Sequence, residues 1–354
     1  MLVGVAVAVV LAACQADEAV PPDGEPDPEP AVEPETPSEG PDEPDGPGDP
    51  APPDEPDDPD ARAEPPAPFR AAALPGPRTE VTGTAWDGRI VAVGGLDTAG
   101  GAMENVDVYD PGTDTWTRGP DLPEALHHTA VAVLDGRVHV VGGYAIRGGS
   151  WVAVAEVWSL GVGEDAWREE PPLATPRGAL AVAATGDRLV AIGGVGPDGA
   201  VLTATEILAS GAGAWEPGPE LATAREHLAA TAVGNAVYAI AGRAGGFATN
   251  RDSVEVLRDG AWHDAGRLHH SRGGIGAATV EGVPCVTGGE EDAGTIGSVE
   301  CLVDGNWEVV AELEVARHGL VVAAIDGRLH VIGGGPEPRL TVSDVHEVVP
   351  VAFP

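Results

Sequence analysis

A pair of glycines recurs along most of the chain with an almost constant spacing. The period is 45 to 51 residues, and the six pairs are Gly94-Gly95, Gly142-Gly143, Gly193-Gly194, Ala241-Gly242 (with Ala in place of the first Gly), Gly288-Gly289 and Gly333-Gly334. A repeat of this length is typical of solenoids and propellers, in which each copy is one supersecondary unit that packs on its neighbours. Six copies therefore constrain the fold more than any local propensity does.

A two-residue turn signal ends six residues upstream of each pair. The dipeptides are Asp87-Gly88, Asp135-Gly136, Gly186-Asp187, Gly234-Asn235, Glu281-Gly282 and Asp326-Gly327. Dipeptides of this kind form the tight turns of β-hairpins. Apolar runs such as HTAVAVL and RVHVV flank them, as expected of strands. Each copy is therefore predicted to begin with a hairpin.

Two further marks complete each copy. Short acidic strands follow the pairs, namely VDVYD at 106, AEVWSL at 155, TEIL at 205, VEVL at 254 and VECL at 299. A tryptophan lies 26 residues before the next pair in five copies, at Trp116, Trp167, Trp215, Trp262 and Trp307. Four strands with a Gly pair, an acidic third strand and a Trp on the fourth resemble the kelch repeat, as in the central domain of galactose oxidase. Over residues 69–354 the resemblance implies an all-β, six-bladed kelch-type β-propeller.

The two ends of this repeat region are complementary. One strand, roughly 341–349, follows the last Gly pair without a Trp, so the sixth blade lacks its outer strand. An orphan segment with Phe69 and Leu74-Pro75 precedes the first blade at the spacing of the other outer strands. Propellers remove exposed strand edges by closing on themselves. We therefore expect a strand near 69–74 to close blade six.

Charged positions recur with the same period. Arginines lie sixteen residues before the pairs at Arg78, Arg177, Arg225, Arg272 and Arg317, with Leu126 in copy two. Third-strand acids are Asp107, Glu156, Glu206, Glu255 and Glu300, with Asp344 or Glu347 in the last copy. Because a buried charge needs a partner, we predict structural Arg–carboxylate pairs within the ring. A ligand-binding ring of arginines is the alternative.

The cysteines and histidines do not form a recognisable metal-binding or catalytic motif. Cys285 and Cys301 lie on neighbouring predicted strands of blade five, where either a disulfide or two buried thiols is possible. The pairs His127-His128 and His269-His270 belong to blades two and five and are predicted to be surface residues rather than ligands of one ion. No metal site and no cofactor are predicted. Copper radical oxidases with kelch domains use a Tyr-His pair, but no tyrosine here precedes a histidine.

The N-terminal residues have a different composition. The apolar run of residues 1–13 ends in Leu11-Ala12-Ala13-Cys14, which resembles a lipoprotein signal with lipidation at Cys14. Residues 15–68 contain 18 prolines and 19 acids, so residues 14–68 are predicted to be a disordered acidic tether. The propeller would then be exported and held to the cell envelope through a lipid anchor only. A net charge of −38 argues against nucleic acid as a partner.

The predicted ligand face consists of loops that follow the Gly pairs. It carries Tyr144, Arg147, Trp151, Arg243, Phe247, Arg251 and Arg339. Arginine and aromatic side chains on loops are typical of binding hot spots. We therefore expect a monomeric binding or scaffold module for a protein or carbohydrate ligand. The alternative is an exported sugar mutarotase similar to those that act on sialic acid, in which acids, Arg and His would concentrate at the channel mouth.

Overall fold

The computed structural model describes residues 67–353, which fold almost entirely into short strands. In chain order these are β1 Phe69–Arg70, β2 Thr82–Trp86, β3 Arg89–Val93, β4 Val106–Asp110, β5 Thr115–Arg118, β6 Ala130–Leu134, β7 Arg137–Val141, β8 Tyr144–Arg147, β9 Ser150–Ala153, β10 Val157–Leu160, β11 Arg168–Glu170, β12 Ala181–Thr185, β13 Arg188–Ile192, β14 Thr205–Ala209, β15 Glu216–Pro217, β16 Ala229–Val233, β17 Ala236–Ile240, β18 Arg251–Arg258, β19 Ala261–Val280, β20 Val283–Glu291, β21 Gly294–Thr295, β22 Ser298–Val303, β23 Asn306–Glu312, β24 Val321–Ile325, β25 Arg328–Ile332 and β26 His346–Pro350. One 3₁₀ turn, Phe247–Thr249, is the only helical element within residues 67–353. The predicted all-β, propeller-like fold is confirmed.

The strands form antiparallel sheets arranged by repeat. Four sheets are separate and four-stranded, with the orders β2-β3-β4-β5, β11-β10-β7-β6, β12-β13-β14-β15 and β1-β26-β25-β24. The fourth and fifth repeats instead share one eight-stranded sheet, β16-β17-β18-β19-β20-β22-β23, with β21 paired to β20. The ribbon β8-β9 is an additional hairpin in the second repeat.

The sequence predicts six separate blades. The structure instead has four separate four-stranded sheets and one eight-stranded sheet. The shared strand β19 pairs with β18 up to Arg272 and with β20 from Gly273 onward. Both neighbours are long enough to follow it, since β18 begins at Arg251 and β20 extends to Glu291. Pairing consequently continues through a connection that is irregular in the other repeats.

The first strand of each repeat lines a central channel. The strands β2, β6, β12, β16, the second half of β19, and β24 pack side by side, and β24 packs back against β2. The residues that line this part of the channel are mostly small, with many alanines such as Ala132, Ala183 and Ala277. Small side chains let the strands approach the axis and leave a cavity of about 270 Å³ in this part of the channel.

All six first hairpins turn at the dipeptides identified in the sequence. In the first hairpin, Asp87 and Gly88 have φ values of 52° and 72° and connect Trp86 to Arg89. Two successive positive φ angles are those of a type I′ turn, whose twist matches that of the flanking strands. The recurrence of Asp-Gly therefore has a direct backbone cause.

Neighbouring repeats are joined by their tryptophans. Each of the five indole N–H groups donates a hydrogen bond to a carbonyl of the preceding repeat, with Trp116 to Ala72, Trp167 to Pro120, Trp215 to Pro171, Trp262 to Pro219 and Trp307 to Ala265, at 2.8 to 3.0 Å. Their constant position in the sequence reflects this contact between repeats.

The recurring arginines are fully buried and paired with third-strand acids. Contacts join Arg78 to Asp107, Arg177 to Glu206, Arg225 to Glu255, Arg272 to Glu300 and Arg317 to Glu347. Arg272, for example, also donates to the carbonyls of Gly288 at 3.1 Å and Ser298 at 3.0 Å. Arg177, Arg225 and Arg317 donate to the carbonyl of the same turn position, so these four arginines tie the Gly-pair turn to the third strand, whereas Arg78 donates to Asp107.

Glu156 is the exception among the acids expected to be paired in this way. Its repeat has Leu126 in place of arginine, and Leu126 is 1% exposed. The Glu156 side chain is 39% exposed and its nearest cation is Arg147, with Nη2 at 3.6 Å. Without a buried guanidinium, this carboxylate stays in solvent, as expected from the cost of burying an unpaired charge.

The ends of the described chain meet in one sheet. Strand β1 pairs with β26, and Phe69 lies opposite Val348.

Cys285 and Cys301 lie opposite each other on β20 and β22 and form a disulfide. Residues 67–353 contain no helix of the length and apolarity needed to cross a bilayer. The signal peptide expected at 1–13, the lipidation site Cys14 and nearly all of the tether 14–68 lie outside the described residues.

Candidate functional site at the channel mouth

A closed ring of backbone hydrogen bonds surrounds one end of the channel. Its members, called here the axial ring, lie two residues after the recurring arginine position, at Glu80, His128, Ala179, His227, Gly274 and Gly319. All six have left-handed φ values between 50° and 72°. From His128 to Gly319, each N–H donates to the carbonyl of the preceding member at 2.8 to 3.4 Å, and Val81 N–H closes the ring on Gly319 at 3.3 Å.

The axial ring borders a cavity of about 120 Å³. Three members, Ala179, Gly274 and Gly319, carry little or no side chain. The others, Glu80, His128 and His227, carry large polar side chains at a backbone conformation that is unfavourable for residues with a Cβ. Such residues tend to persist where the side chain has a function.

Glu80 lies between two histidines. His128 Nε2 is 3.3 Å from Glu80 Oε2, and His318 Nδ1 is 3.5 Å from Glu80 Oε1. The other ring nitrogen of His318 is 3.7 Å from Glu290 Oε2. His318 is 1% exposed, and neither of its ring nitrogens is within hydrogen-bond geometry of a partner. The imidazole is therefore held between two carboxylates without a direct hydrogen bond to either.

An ion-pair chain continues from this point to His227. Arg243 donates from Nη1 to Glu290 Oε1 at 2.9 Å, and its Nε is 3.3 Å from Glu226 Oε1. The second oxygen of Glu226 contacts His227 Nδ1. Together Glu80, His128, His227, His318, Glu226, Glu290 and Arg243 form what is called here the axial cluster. Arg243 thus pairs with two of the three carboxylates, and the third, Glu80, lies beside histidines.

The environment shifts the protonation of these groups in different directions. Burial tends to raise the pKa of Glu80, but the adjacent His128, His318 and His227 outweigh it and hold that pKa well below its usual range. Burial lowers the pKa of His128 and, with Arg243, holds that of His227 well below its usual range. Burial also opposes the charged form of His318, yet its pKa is raised because Glu80 and Glu290 are close. The mouth therefore combines the ionised Glu80 carboxylate with two imidazoles held neutral, His128 and His227, and a third, His318, whose charged form is favoured.

Part of the predicted ligand face proves to be the wall of this cluster. Tyr144 is 5% exposed rather than displayed on the surface. The Trp151 ring is half-buried against His127, with the ring centroids 4.4 Å apart. The hairpin β8-β9 carries both aromatic side chains and turns them toward the cluster. Their apolar rings exclude water from it. Tyr144 is thus corrected from the displayed surface to the interior, and Trp151 to a half-buried position against His127.

The opposite side of the mouth stacks two arginines on one ring. The guanidinium carbon of Arg243 is 5.1 Å from the Phe247 ring centroid, and that of Arg339 is 5.8 Å from it. Arg243 is 7% exposed, so this predicted ligand-face residue is buried in the ion pairs of the axial cluster. The Arg339 side chain is 51% exposed, and Arg147, on the other side of the mouth, is 49% exposed. Arg251 is half-buried at the start of β18.

The histidine pairs separate into two classes. His269 and His270 are exposed, as expected. His127 and His128 are instead 0% and 8% exposed, and their Nδ1 atoms are 2.6 Å apart. Burial lowers the pKa of His127 to about 2, so this ring is neutral. The expectation that both pairs are surface residues is therefore wrong for His127-His128, which the entry into β6 turns toward the axis.

Sequence reasoning missed Glu80, His227, His318, Glu226 and Glu290. Three cluster members, Glu80, His128 and His227, occupy the same position of the repeat, two residues after the recurring arginine. In chain order the six copies have Glu, His, Ala, His, Gly and Gly at this position. A position at which small residues alternate with Glu and His breaks the symmetry of the repeat. Only the backbone geometry shows that this position faces the axis.

Comparison with known proteins agrees with this architecture. A family model described as “Kelch motif” matches residues 77–123. Kelch-like protein 34 of Homo sapiens is 41% identical over 91 residues, which are 25% of this chain and 14% of that protein. Beta-scruin of Limulus polyphemus is 33% identical over 144 residues, 40% of this chain and 15% of that protein. The chain thus aligns with only about one seventh of these relatives.

A solved structure, that of YjhT, has the same fold. It superposes with a TM-score of 0.70 and 14% identity, covering 79% of this chain and 96% of that one. At this identity the likeness concerns the fold alone. Together with the matched motif and the kelch-like relatives, it supports a kelch-repeat β-propeller.

Proposed function

We propose that the propeller has six blades and that the eight-stranded sheet comprises two of them. The axial ring supports this count, because it has one member from each of six repeats. The six packed inner strands support it as well. In this proposal β19 supplies the outer strand of blade four and the inner strand of blade five.

We infer that the chain is a binding module for a protein or glycan, in line with the protein-binding scaffold that its kelch-repeat relatives suggest. The observation that carries this proposal is the exposed rim of the channel mouth. Ile146 and Leu340 are 38% and 46% exposed and stand next to the exposed Arg147 and Arg339. Apolar and arginine side chains on loops around a polar pocket are a common composition of binding sites.

The rim can be tested by binding assays with the full chain. Envelope proteins and glycans captured by the parent are compared with those captured by Arg147→Ala and Arg339→Ala. Each change should weaken binding about tenfold, and more at low salt, since exposed charges are screened. Arg188→Ala is the matched control, because Arg188 is 52% exposed but lies at the hairpin turn, the opposite end of its strand from the Gly pair. Equal binding by all four proteins would exclude this surface.

We further propose that the chain is exported and anchored through Cys14. The support is the sequence Leu11-Ala12-Ala13-Cys14 at the end of an apolar run. Cys14→Ser should abolish incorporation of labelled fatty acid, whereas Cys285→Ser should leave it unchanged. Equal labelling of the Cys14 variant and the parent would contradict the anchor.

A sugar mutarotase is the second candidate, and the axial cluster favours it. Opening a cyclic hemiacetal requires a base that takes the anomeric hydroxyl proton and an acid that protonates the ring oxygen as the C–O bond breaks. Carboxylates and imidazoles within 3.3 to 3.7 Å of each other beside a cavity provide groups of both kinds. The rate of anomer exchange of sialic acid, measured by NMR, should rise with the parent and not with Glu290→Gln. No acceleration by the parent would remove this candidate.

A further inference from the structure

We propose that Glu80, His128 and His227 bind one divalent transition-metal ion, with Zn²⁺ as the best-fitting ion, at the mouth of the channel. One nitrogen or oxygen from each side chain lies within 4.8 Å of those of the other two. All three belong to the axial ring, so three different repeats place them around one point. The site goes beyond the binding function proposed above and does not depend on it.

The donor set is that of a borderline metal. Two imidazoles and one carboxylate suit Zn²⁺ and its neighbours, whereas Ca²⁺ and Mg²⁺ take mostly oxygen ligands. Zinc bonds of about 2.0 to 2.2 Å place tetrahedral ligand atoms about 3.4 Å apart. His128 Nε2 and Glu80 Oε2 are already 3.3 Å apart. The His227 donor atom lies within 4.8 Å of those of Glu80 and His128, so a rotation of the His227 side chain would complete the set.

The surroundings fix which nitrogen each histidine presents. Metal-bound histidines commonly use the second ring nitrogen for a hydrogen bond that sets the tautomer. The Nδ1 of His227 contacts the Glu226 carboxylate, which leaves Nε2 for a metal. The Nδ1 of His128 is 2.6 Å from Nδ1 of His127, while its Nε2 faces Glu80. His227 therefore has the carboxylate partner that ligating histidines commonly have, and the Nδ1 of His128 has the imidazole of His127 in the same position.

Charge and space at the mouth also favour a cation. The cluster has three carboxylates and one arginine, and Arg243 contacts Glu226 and Glu290, whereas Glu80 is approached by His128 and His318. The buried His318 approaches the second oxygen of Glu80 at 3.5 Å and acts as a positioning residue for that carboxylate. The three ligands border the cavity of about 120 Å³. Three protein ligands leave a fourth coordination position open to this cavity for water or a ligand oxygen.

Metal content and affinity test the site directly. The full chain is stripped with EDTA, dialysed and titrated with ZnCl₂ by calorimetry, and bound zinc is measured by mass spectrometry. One Zn²⁺ per chain is expected. Glu80→Gln and His227→Gln should each weaken zinc binding more than about 100-fold. The double variant His269→Gln/His270→Gln is the control, because these exposed histidines lie outside the cluster and should leave zinc binding unchanged.

A spectroscopic readout distinguishes ligation from folding. Co²⁺ in place of Zn²⁺ should give intense visible absorption bands, which Glu80→Gln abolishes while the metal-free variant keeps the parent circular dichroism. Glu226→Gln should shift these bands and weaken zinc binding about 10- to 100-fold, as expected for an outer partner. If one ligand variant does not fold, the other decides. Less than about 0.1 Zn²⁺ per parent chain, or folded ligand variants that bind zinc like the parent, would overturn the proposal.

Discussion

Replacement of Arg272 by methionine is the most direct test of how the blades are held together. The Arg272 side chain is fully buried and donates to the carbonyls of Gly288 and Ser298, to Ser298 Oγ at 2.6 Å, and to Glu300. Methionine fills much of the same space but removes these four interactions and a longer one to the His270 carbonyl at 3.4 Å. Glu300, 0% exposed, would keep the hydrogen bond from the His269 N–H but would lose its buried cation.

The expected loss follows from the stranded carboxylate. Removing one partner of a buried pair costs about 3 to 5 kcal/mol in the free energy of unfolding. For about 290 folded residues, an unfolding entropy of about 2.1 cal/mol/K per residue gives about 0.6 kcal/mol/K, so a loss of about 4 kcal/mol lowers Tm by about 7 °C. Chemical denaturation and calorimetry measure both quantities. The double variant Arg272→Met/Glu300→Gln should recover part of the loss, because it removes the stranded charge.

An exposed ion pair supplies the control. Arg89 is 53% exposed, with its Nε 3.4 Å from Asp110, so Arg89→Met should change the free energy of unfolding by less than about 0.5 kcal/mol. A loss at Arg272 no larger than that at Arg89 would refute the reasoning, since it would mean that the buried pair contributes nothing beyond a surface contact.

Three further predictions concern closure, acid and the rim. Deleting residues 14–66 should leave Tm unchanged. Deleting residues 14–80 also removes β1 and Arg78 and should lower Tm. Equal Tm values for the two deletion variants would contradict closure of the last sheet by β1. Burial lowers the pKa of both His330 and His346 to about 4, so between pH 6.5 and 4 the unfolded chain binds more protons and stability decreases as the pH is lowered. Each of the two contributes a slope of about 1.4 kcal/mol per pH unit. Urea denaturation of His330→Gln/His346→Gln should show the slope reduced by their share, while the share of other buried histidines such as His127 remains, and an unchanged slope would contradict the two shifts. Trp151→Ala should lower Tm, because the ring packs on His127. Phe247→Ala should leave Tm within about 1 °C of the parent and weaken ligand binding by on the order of 2 kcal/mol. The reverse pattern would be evidence against the placement of these two rings.

Hairpins, tryptophans and arginines could be predicted because each performs the same task in every repeat that contains it. Asp87-Gly88 fixes a turn locally, and the contact of Trp215 recurs with a constant spacing. Glu80 and His227 could not be assigned in this way, since their role depends on where six distant backbone segments converge. Tyr144 and Trp151 were misplaced for a related reason, because a Gly-rich loop does not reveal on which side its hairpin folds.

The axial ring has a consequence for how such a chain can change in evolution. An open solenoid has terminal repeats, so one copy can be gained or lost while the remaining contacts stay as they are. Here every ring member is bonded to a neighbour on either side, and the Val81–Gly319 contact joins the last to the first. A change in copy number would alter the curvature at all six positions simultaneously, and Glu80, His128 and His227 would no longer converge. Variation is therefore confined to substitutions within a fixed number of copies, and chemistry can arise where single members of an otherwise uniform ring are exchanged.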